Sequence, residues 1–202
     1  MLLLIAEYLG IAAFAASGFY IAVRHRLDLL GIYLSSFLTA LGGGILRDLL
    51  ADRLPYSLTH SLPASTGILV TSLLVWRRMH QHPWESRTLF VFIDALGMVS
   101  FAISGALAGL QAGFNIAGVT LLAFTTAVGG GILRDILINK VPYVLHGGFY
   151  GIIAIGIGLI LWLLHRLGWD HPLLLTLLFI TGVAIRMIAY RRSWELPRLY
   201  ER

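Results

Sequence analysis

The sequence has little of what a water-soluble protein needs. The 202-residue chain contains no cysteine, which excludes disulfides and thiolate metal sites. Charged residues make up only 12% of the chain, against about 25% in an ordinary globular protein. Apolar residues make up 58%, and the mean hydropathy is +0.83. A soluble domain of this length cannot bury so much apolar surface, so the composition predicts a membrane protein and excludes a disordered or nucleic-acid-binding chain.

Seven apolar runs are long enough to cross a membrane as helices of about 20 residues. They are residues 3–23, 29–50, 57–76, 89–110, 115–138, 144–164 and 172–190. The segments between them are short and carry charge or turn-forming residues, which leaves no room for an inserted soluble domain. The sequence therefore predicts a single all-α transmembrane domain over residues 1–202.

Positive charge is distributed unequally over the two ends of these spans. We name the membrane face at the N-terminus side A and the opposite face side B. Arg47, Arg53 and Arg166 fall on side A, and the other twelve of the 15 lysines and arginines fall on side B. Because cytoplasmic loops carry the excess of positive charge, side B is predicted to be cytoplasmic. The N-terminus is then outside and the C-terminus inside.

The chain repeats itself at a constant offset of 87 residues, without a gap. Residues 39–48 read TALGGGILRD, and residues 126–135 read TAVGGGILRD. The same offset relates Pro55-Tyr56 to Pro142-Tyr143 and Glu7 to Asp94. Repeat one covers about 3–76, repeat two about 89–164, and a seventh helix at about 172–190 lies outside both. Because three spans are an odd number, the second copy enters from the other side, which predicts two inverted three-helix repeats.

Each repeat places three consecutive glycines inside an apolar span, at Gly42, Gly43 and Gly44 and at Gly129, Gly130 and Gly131. Glycine in a helix interior costs about 1 kcal/mol relative to alanine, so the triplets favour a bend or break of the helix. Carbonyls freed there can ligate a cation. The alternative is close helix packing without a ligand. Nearby hydroxyls are predicted to line the path, unless they bond their own helix backbone. They belong to Ser35, Ser36, Thr39 and Thr126.

Ionisable side chains near the span ends predict one charged cluster on each membrane face. The clusters are Glu7 with Arg47 and Asp48 near side A, and Asp94 with Arg134 and Asp135 near side B. Ionisable groups in a membrane are costly, pair with one another and face cavities. The clusters are therefore predicted to gate the path or to set its charge preference, unless the arginines only snorkel to the interface. Arg186, near the side B end of the last span, is expected to snorkel.

Nothing in the sequence indicates catalysis, a metal or a cofactor. The glycine triplets lack the residues of a phosphate loop and the spacing of a dinucleotide fingerprint. No base is placed beside Ser17 or Ser104, and the histidines have no metal-ligand spacing. We therefore expect no enzyme, no cofactor, no metal site and no nucleic-acid partner.

The doubled GGGxxRD segment in two three-helix repeats, followed by a seventh helix, resembles the prokaryotic branch of the trimeric intracellular cation channels. Bacterial members are often labelled as carrying a glycine-transporter domain. The resemblance covers residues 1–190 and agrees with the predicted orientation. It implies a homotrimer in the prokaryotic plasma (inner) membrane, with membrane lipid around it. It also implies potassium conduction, with modest discrimination against sodium, through a pore in each subunit that is lined by kinked second and fifth helices. By position, Gly42–Gly44 and Gly129–Gly131 would be the kinks, with Arg47, Asp48, Arg134 and Asp135 beside them.

Three functions are compatible with these features. The first is a channel for a monovalent cation, with potassium and sodium as permeant partners. The second is a secondary transporter of a small solute such as glycine, because inverted repeats and broken helices also serve alternating access. In a transporter, Arg47 or Arg134 would bind a substrate carboxylate. The third is a structural membrane protein whose glycines only pack helices. Animal members of the family bind a phosphoinositide, which is not carried over because no lysine stands beside the second triplet.

Overall fold

A computed structural model describes residues 2–80, 87–145, 149–169 and 171–197. These residues form eight α-helices and a 3₁₀ turn at Tyr143–Leu145. The helices are α1 (Leu2–Arg24), α2 (Leu29–Leu50), α3 (Tyr56–Thr59), α4 (Ser61–Trp76), α5 (Arg87–Gln111), α6 (Ile116–Leu137), α7 (Gly151–Arg166) and α8 (Pro172–Arg191). Five of them (α1, α2, α5, α6 and α8) are long and apolar enough to cross a membrane. The all-α class is confirmed. Arg198 and Arg202, which the charge distribution includes, lie outside the described residues.

The third and sixth predicted spans differ from the structure. Each is a short helical turn followed by a 16-residue helix, α3 before α4 and the 3₁₀ turn before α7. At about 1.5 Å per residue such a helix is roughly 24 Å long, shorter than the hydrocarbon core of about 30 Å. Extended backbone at His60 separates α3 from α4. The count of seven spans and the inverted repeat layout therefore stay predictions.

Equivalent capping residues begin the corresponding helices α2 and α6 of the two repeats. Asp28 accepts a hydrogen bond from the Gly31 amide at 2.8 Å and caps α2, and Asn115 accepts one from the Gly118 amide at 2.9 Å and caps α6. Asp and Asn are favoured at this position because their side chains satisfy free amides of the first turn. The sequence offset of 87 residues is thus also an offset between caps.

The centre of the molecule is the crossing of α2 and α6. Both helices are continuous through their glycine triplets, so the break that the sequence allows is absent. A Cβ on Gly43 would collide with the Thr126 carbonyl oxygen, and one on Gly130 with the Thr39 carbonyl oxygen. The second glycine of each triplet therefore lets the two backbones touch, whereas a Cβ on Gly42 or Gly129 would meet a leucine side chain of the opposite helix first. Bending of either helix stays a prediction.

The third glycine of each triplet has a different environment. A Cβ on Gly44 would lie 3.5 Å from Glu7 Oε1, and one on Gly131 would lie 3.8 Å from Arg134 Nη2. Both are ordinary contacts with side chains. Gly44 and Gly131 thus face the charged residues at the two ends of the crossing.

We expect Gly43→Ala and Gly130→Ala to lower the free energy of unfolding by about 1–3 kcal/mol, because the added methyl group must push two backbones apart. The matched variants Gly44→Ala and Gly131→Ala meet no backbone, and alanine favours the helix. Thermal unfolding of the detergent-solubilised protein measures the difference. An equal loss of stability in all four variants would contradict the packing role.

Candidate functional site

The side A cluster holds Arg47 in a fixed position. Its two Nη atoms donate to the Glu7 carboxylate at 2.8 and 3.0 Å. Its Nε donates to Asp48 Oδ1 at 2.8 Å, and Nη1 also donates to Ser104 Oγ at 2.5 Å. Arg47 is only 3% exposed. Bidentate ion pairs between arginine and a carboxylate are among the strongest side-chain contacts, so every nitrogen of this guanidinium is used.

The side B cluster contains the corresponding residues but is held more loosely. Arg134 donates from Nε to Asp135 Oδ1 at 2.9 Å, and its Nη2 lies 2.8 Å from the same oxygen. Its Nη1 reaches only Ser17 Oγ, at 3.4 Å, and Ser17 in turn donates to Asp94 Oδ1 at 2.9 Å. Asp94 is one methylene shorter than Glu7. It therefore meets Arg134 through a serine instead of a direct bidentate pair.

The aspartates connect each arginine to the turn that follows its helix. Asp48 Oδ2 accepts the backbone amide of Tyr56 at 2.8 Å, and Asp135 Oδ2 accepts that of Tyr143 at 2.8 Å. This contact explains why the Pro-Tyr pair recurs at the same distance after each Arg-Asp pair. One carboxylate orients a guanidinium and satisfies the first free amide of a helical turn.

The predicted pore-lining hydroxyls are buried and bond mainly to backbone. Thr39 and Thr126 each donate at 2.6 Å to a carbonyl one turn back, on Ser35 and Leu122. The Ser35 hydroxyl donates to the Gly18 carbonyl at 2.9 Å. Ser36 Oγ has no hydrogen-bond partner among the described residues. Thr39 and Thr126 thus fit the alternative in which a hydroxyl bonds its own helix backbone, whereas Ser35 bonds the backbone of α1. That these hydroxyls line a path stays a prediction.

A cavity of about 400 Å³ reaches the side B cluster. Its walls include Gly131, Arg134, Asp94 and Asp135, which the sequence singles out. They also include residues that the sequence reasoning did not select, namely His25, Lys140, Tyr143 and Tyr150. Of these four residues, only Tyr143 could have been found from the sequence pattern, because it repeats Tyr56 at the 87-residue offset. The cavity therefore leads to the glycine triplet of α6 and ends on charged groups.

Known proteins have sequences and folds similar to those of this chain. The family model described as glycine transporter matches residues 4–78 and 91–166. The UPF0126 membrane protein YvgT of Bacillus subtilis is 34% identical, over 94% of this chain and 92% of its own. A solved structure of a TRIC cation channel has a TM-score of 0.88 and 34% identity, covering 98% of this chain and 97% of that chain. The TRIC trimeric intracellular cation channel orthologue from Rhodobacter sphaeroides has a TM-score of 0.86 and 25% identity, covering 95% and 98%.

The chain belongs to the prokaryotic branch of the trimeric intracellular cation channel family. It is an integral membrane protein. The resemblance of the doubled GGGxxRD segment to this family is thereby confirmed.

Arg186 of this TRIC family member does not snorkel, so that expectation is wrong. The residue is 3% exposed. Its Nη2 donates to the Tyr143 hydroxyl at 3.2 Å, and its guanidinium lies over the Tyr150 ring, 5.0 Å from the centroid. Two tyrosines that follow the second Arg-Asp pair thus turn Arg186 inward, which the pattern of α8 alone could not indicate.

We expect Glu7→Asp to lower the free energy of unfolding by about 1–3 kcal/mol, because the shorter carboxylate loses its direct bonds to a buried arginine. Asp94→Glu should not destabilise the protein, since a longer carboxylate at this position reaches Arg134 directly. Chemical or thermal unfolding measures both changes. A loss of stability for Asp94→Glu as large as that for Glu7→Asp would contradict the fixed position of Arg47.

Proposed function

We propose that this TRIC family member is a cation channel that passes potassium more readily than sodium. The likeness to a solved TRIC cation channel, with a TM-score of 0.88 over 98% of this chain, carries the proposal. Each subunit would have its own pore along the crossing of α2 and α6. This crossing has a glycine triplet on both helices and a buried arginine at each end.

The crossing contains groups that can ligate a cation once the helices separate. The Thr39 and Thr126 carbonyl oxygens point at Gly130 and Gly43 of the opposite helix. Backbone carbonyls are oxygen ligands that replace the hydration shell of potassium. A separation of α2 from α6 would expose both oxygens to the space between the helices, where each still accepts a hydrogen bond within its own helix. The two helices touch at the crossing, and in the proposed channel this contact would be the closed state.

The arginines would act as gates, and the side B arginine would be the one that moves. A guanidinium in a cation path repels the permeant ion unless it is neutralised or displaced. Arg47 has direct bonds to two carboxylates, whereas Arg134 has a direct bond to one and borders a cavity. Moving one charge across the full membrane field is worth about 2.3 kcal/mol per 100 mV, enough to bias a loosely held arginine.

We propose further that the protein is a homotrimer in the prokaryotic plasma membrane, with side B in the cytoplasm. The Rhodobacter sphaeroides orthologue, which is similar over 95% of this chain, is described as trimeric. Native mass spectrometry should find three 22.2-kDa chains per particle. A monomeric particle in several mild detergents would contradict the trimer without affecting the path proposed within each subunit.

Purified protein in liposomes should pass potassium rapidly under an imposed gradient, followed with a potential-sensitive dye. Gly131→Leu should abolish the flux, because its side chain enters the cavity beside Arg134 without meeting backbone. Ile136→Leu, on the exposed face of the same helix, is the matched control and should leave the flux unchanged.

Radiolabelled glycine uptake measured on the same liposomes distinguishes the alternatives. The family model is described as a glycine transporter, which favours a carrier as the second candidate. Saturable glycine uptake without electrogenic potassium flux would make the protein a carrier and its arginines carboxylate ligands. No flux of either solute at any voltage would leave a structural protein and contradict the proposal.

A further inference from the structure

Arg186 is a buried cation without a counterion among the described residues. Its hydrogen-bond partner is the Tyr143 hydroxyl, and its Nε has none. Ion pairs between two described residues are made by Arg47 and Arg134, and no carboxylate oxygen of a described residue lies within 4.0 Å of Arg186. Asp94 acts on it only from a longer distance. A buried charge without a direct counterion is costly, so an anion that contacts this arginine would stabilise it where no described carboxylate does.

Arg186 borders a second cavity on side B, of about 540 Å³. Two further arginines line it, Arg24 from the last turn of α1 and Arg87 from the first turn of α5. Its polar wall also contains the side chains of Tyr190, Ser193, Trp194 and Glu195. Three arginines and one carboxylate leave a net charge of about +2 (three minus one) around this space. Three helices therefore direct positive charge at one cavity.

The composition of the cavity selects a phosphate group. A guanidinium binds phosphate through two parallel hydrogen bonds, and several guanidinium groups match the several oxygens of one phosphate. A carboxylate offers two oxygens and one charge, which neutralises less of this site. Tyr190 and Trp194 are side chains typical of the membrane interface, and basic cavities between helices at this depth bind anionic headgroups.

We propose that Arg24, Arg87 and Arg186 form a binding site for a phosphate-bearing anion, either a lipid phosphate headgroup or free phosphate. The buried Arg186 binds the deepest oxygens, and the exposed Arg24 and Arg87 close over the group from the side B interface. The site lies on α1, α5 and α8, and it is separate from the crossing of α2 and α6. It does not depend on the proposed channel function, because it is tested by binding without flux.

The test uses purified, delipidated protein in an uncharged detergent. The unfolding temperature is titrated with inorganic phosphate against chloride at equal ionic strength. It is titrated separately with mixed micelles containing phosphatidic acid or phosphatidylglycerol, against phosphatidylcholine. Stabilisation by inorganic phosphate identifies a free anion as sufficient, and stabilisation by the anionic lipids alone identifies a headgroup. No stabilisation by either, relative to its control, overturns the proposal.

The double variant Arg24→Gln/Arg87→Gln is designed to fold, because both positions are exposed and Arg186 stays in place. We expect it to weaken the apparent affinity by at least about tenfold, which corresponds to about 1.4 kcal/mol, since two of the three guanidinium groups are lost. Arg191→Gln/Arg192→Gln removes the same charge from the same membrane face without lining the cavity and should leave the affinity unchanged. Equal weakening in both double variants would mean general surface attraction and would overturn the site.

Arg186→Met provides an independent readout. Because the arginine has no counterion among the described residues, its removal should abolish the response to the anion while costing little stability in the anion-free protein. A large loss of stability in the anion-free protein, together with an unchanged anion response, would contradict the proposed role of Arg186.

Discussion

The backbone contact between α2 and α6 is the constraint on which the rest of the structure depends. Glycines at positions 43 and 130 allow each helix to touch a carbonyl of the other, and any larger side chain would separate them. Once the two helices are this close, the arginines four residues further along each helix must lie at opposite ends of the same crossing. In lipid, such buried charges need partners, and α1 and α5 supply them through Glu7, Asp94 and the serines at 17 and 104.

The two ends are built from the same motif but are not equally strong. The difference reduces to one methylene, Glu7 on side A against Asp94 on side B. On side B a cavity reaches Arg134, and the turn at Tyr143 links Asp135 to the hydroxyl that Arg186 contacts. Tyr143 therefore lies in the walls of both side B cavities.

Much of this architecture could be predicted from the sequence, because the same residues recur in both repeats at one constant offset. The residues of both charged clusters are set by the recurrence of Glu7 or Asp94 with an Arg-Asp pair. Three features do not follow from it. A triplet of glycines predicts a bend as readily as a close contact, and the close contact is evident only from the position of Thr126 opposite Gly43. The third and sixth predicted spans begin with short helical turns, Tyr56–Thr59 and Tyr143–Leu145, which the hydropathy of the runs does not separate from the helices. Arg186 turns inward because of tyrosines distant in the sequence.

The central claim is that the looser side B cluster is the one that opens. The most direct test exchanges the methylene in the double variant Glu7→Asp/Asp94→Glu and records single-channel currents in a planar bilayer of known protein orientation. The account predicts that the wild-type protein opens more readily at one voltage polarity and that the exchanged variant opens more readily at the opposite one. If both proteins favour the same polarity to the same degree, the difference between Glu7 and Asp94 does not control opening, and the account is wrong.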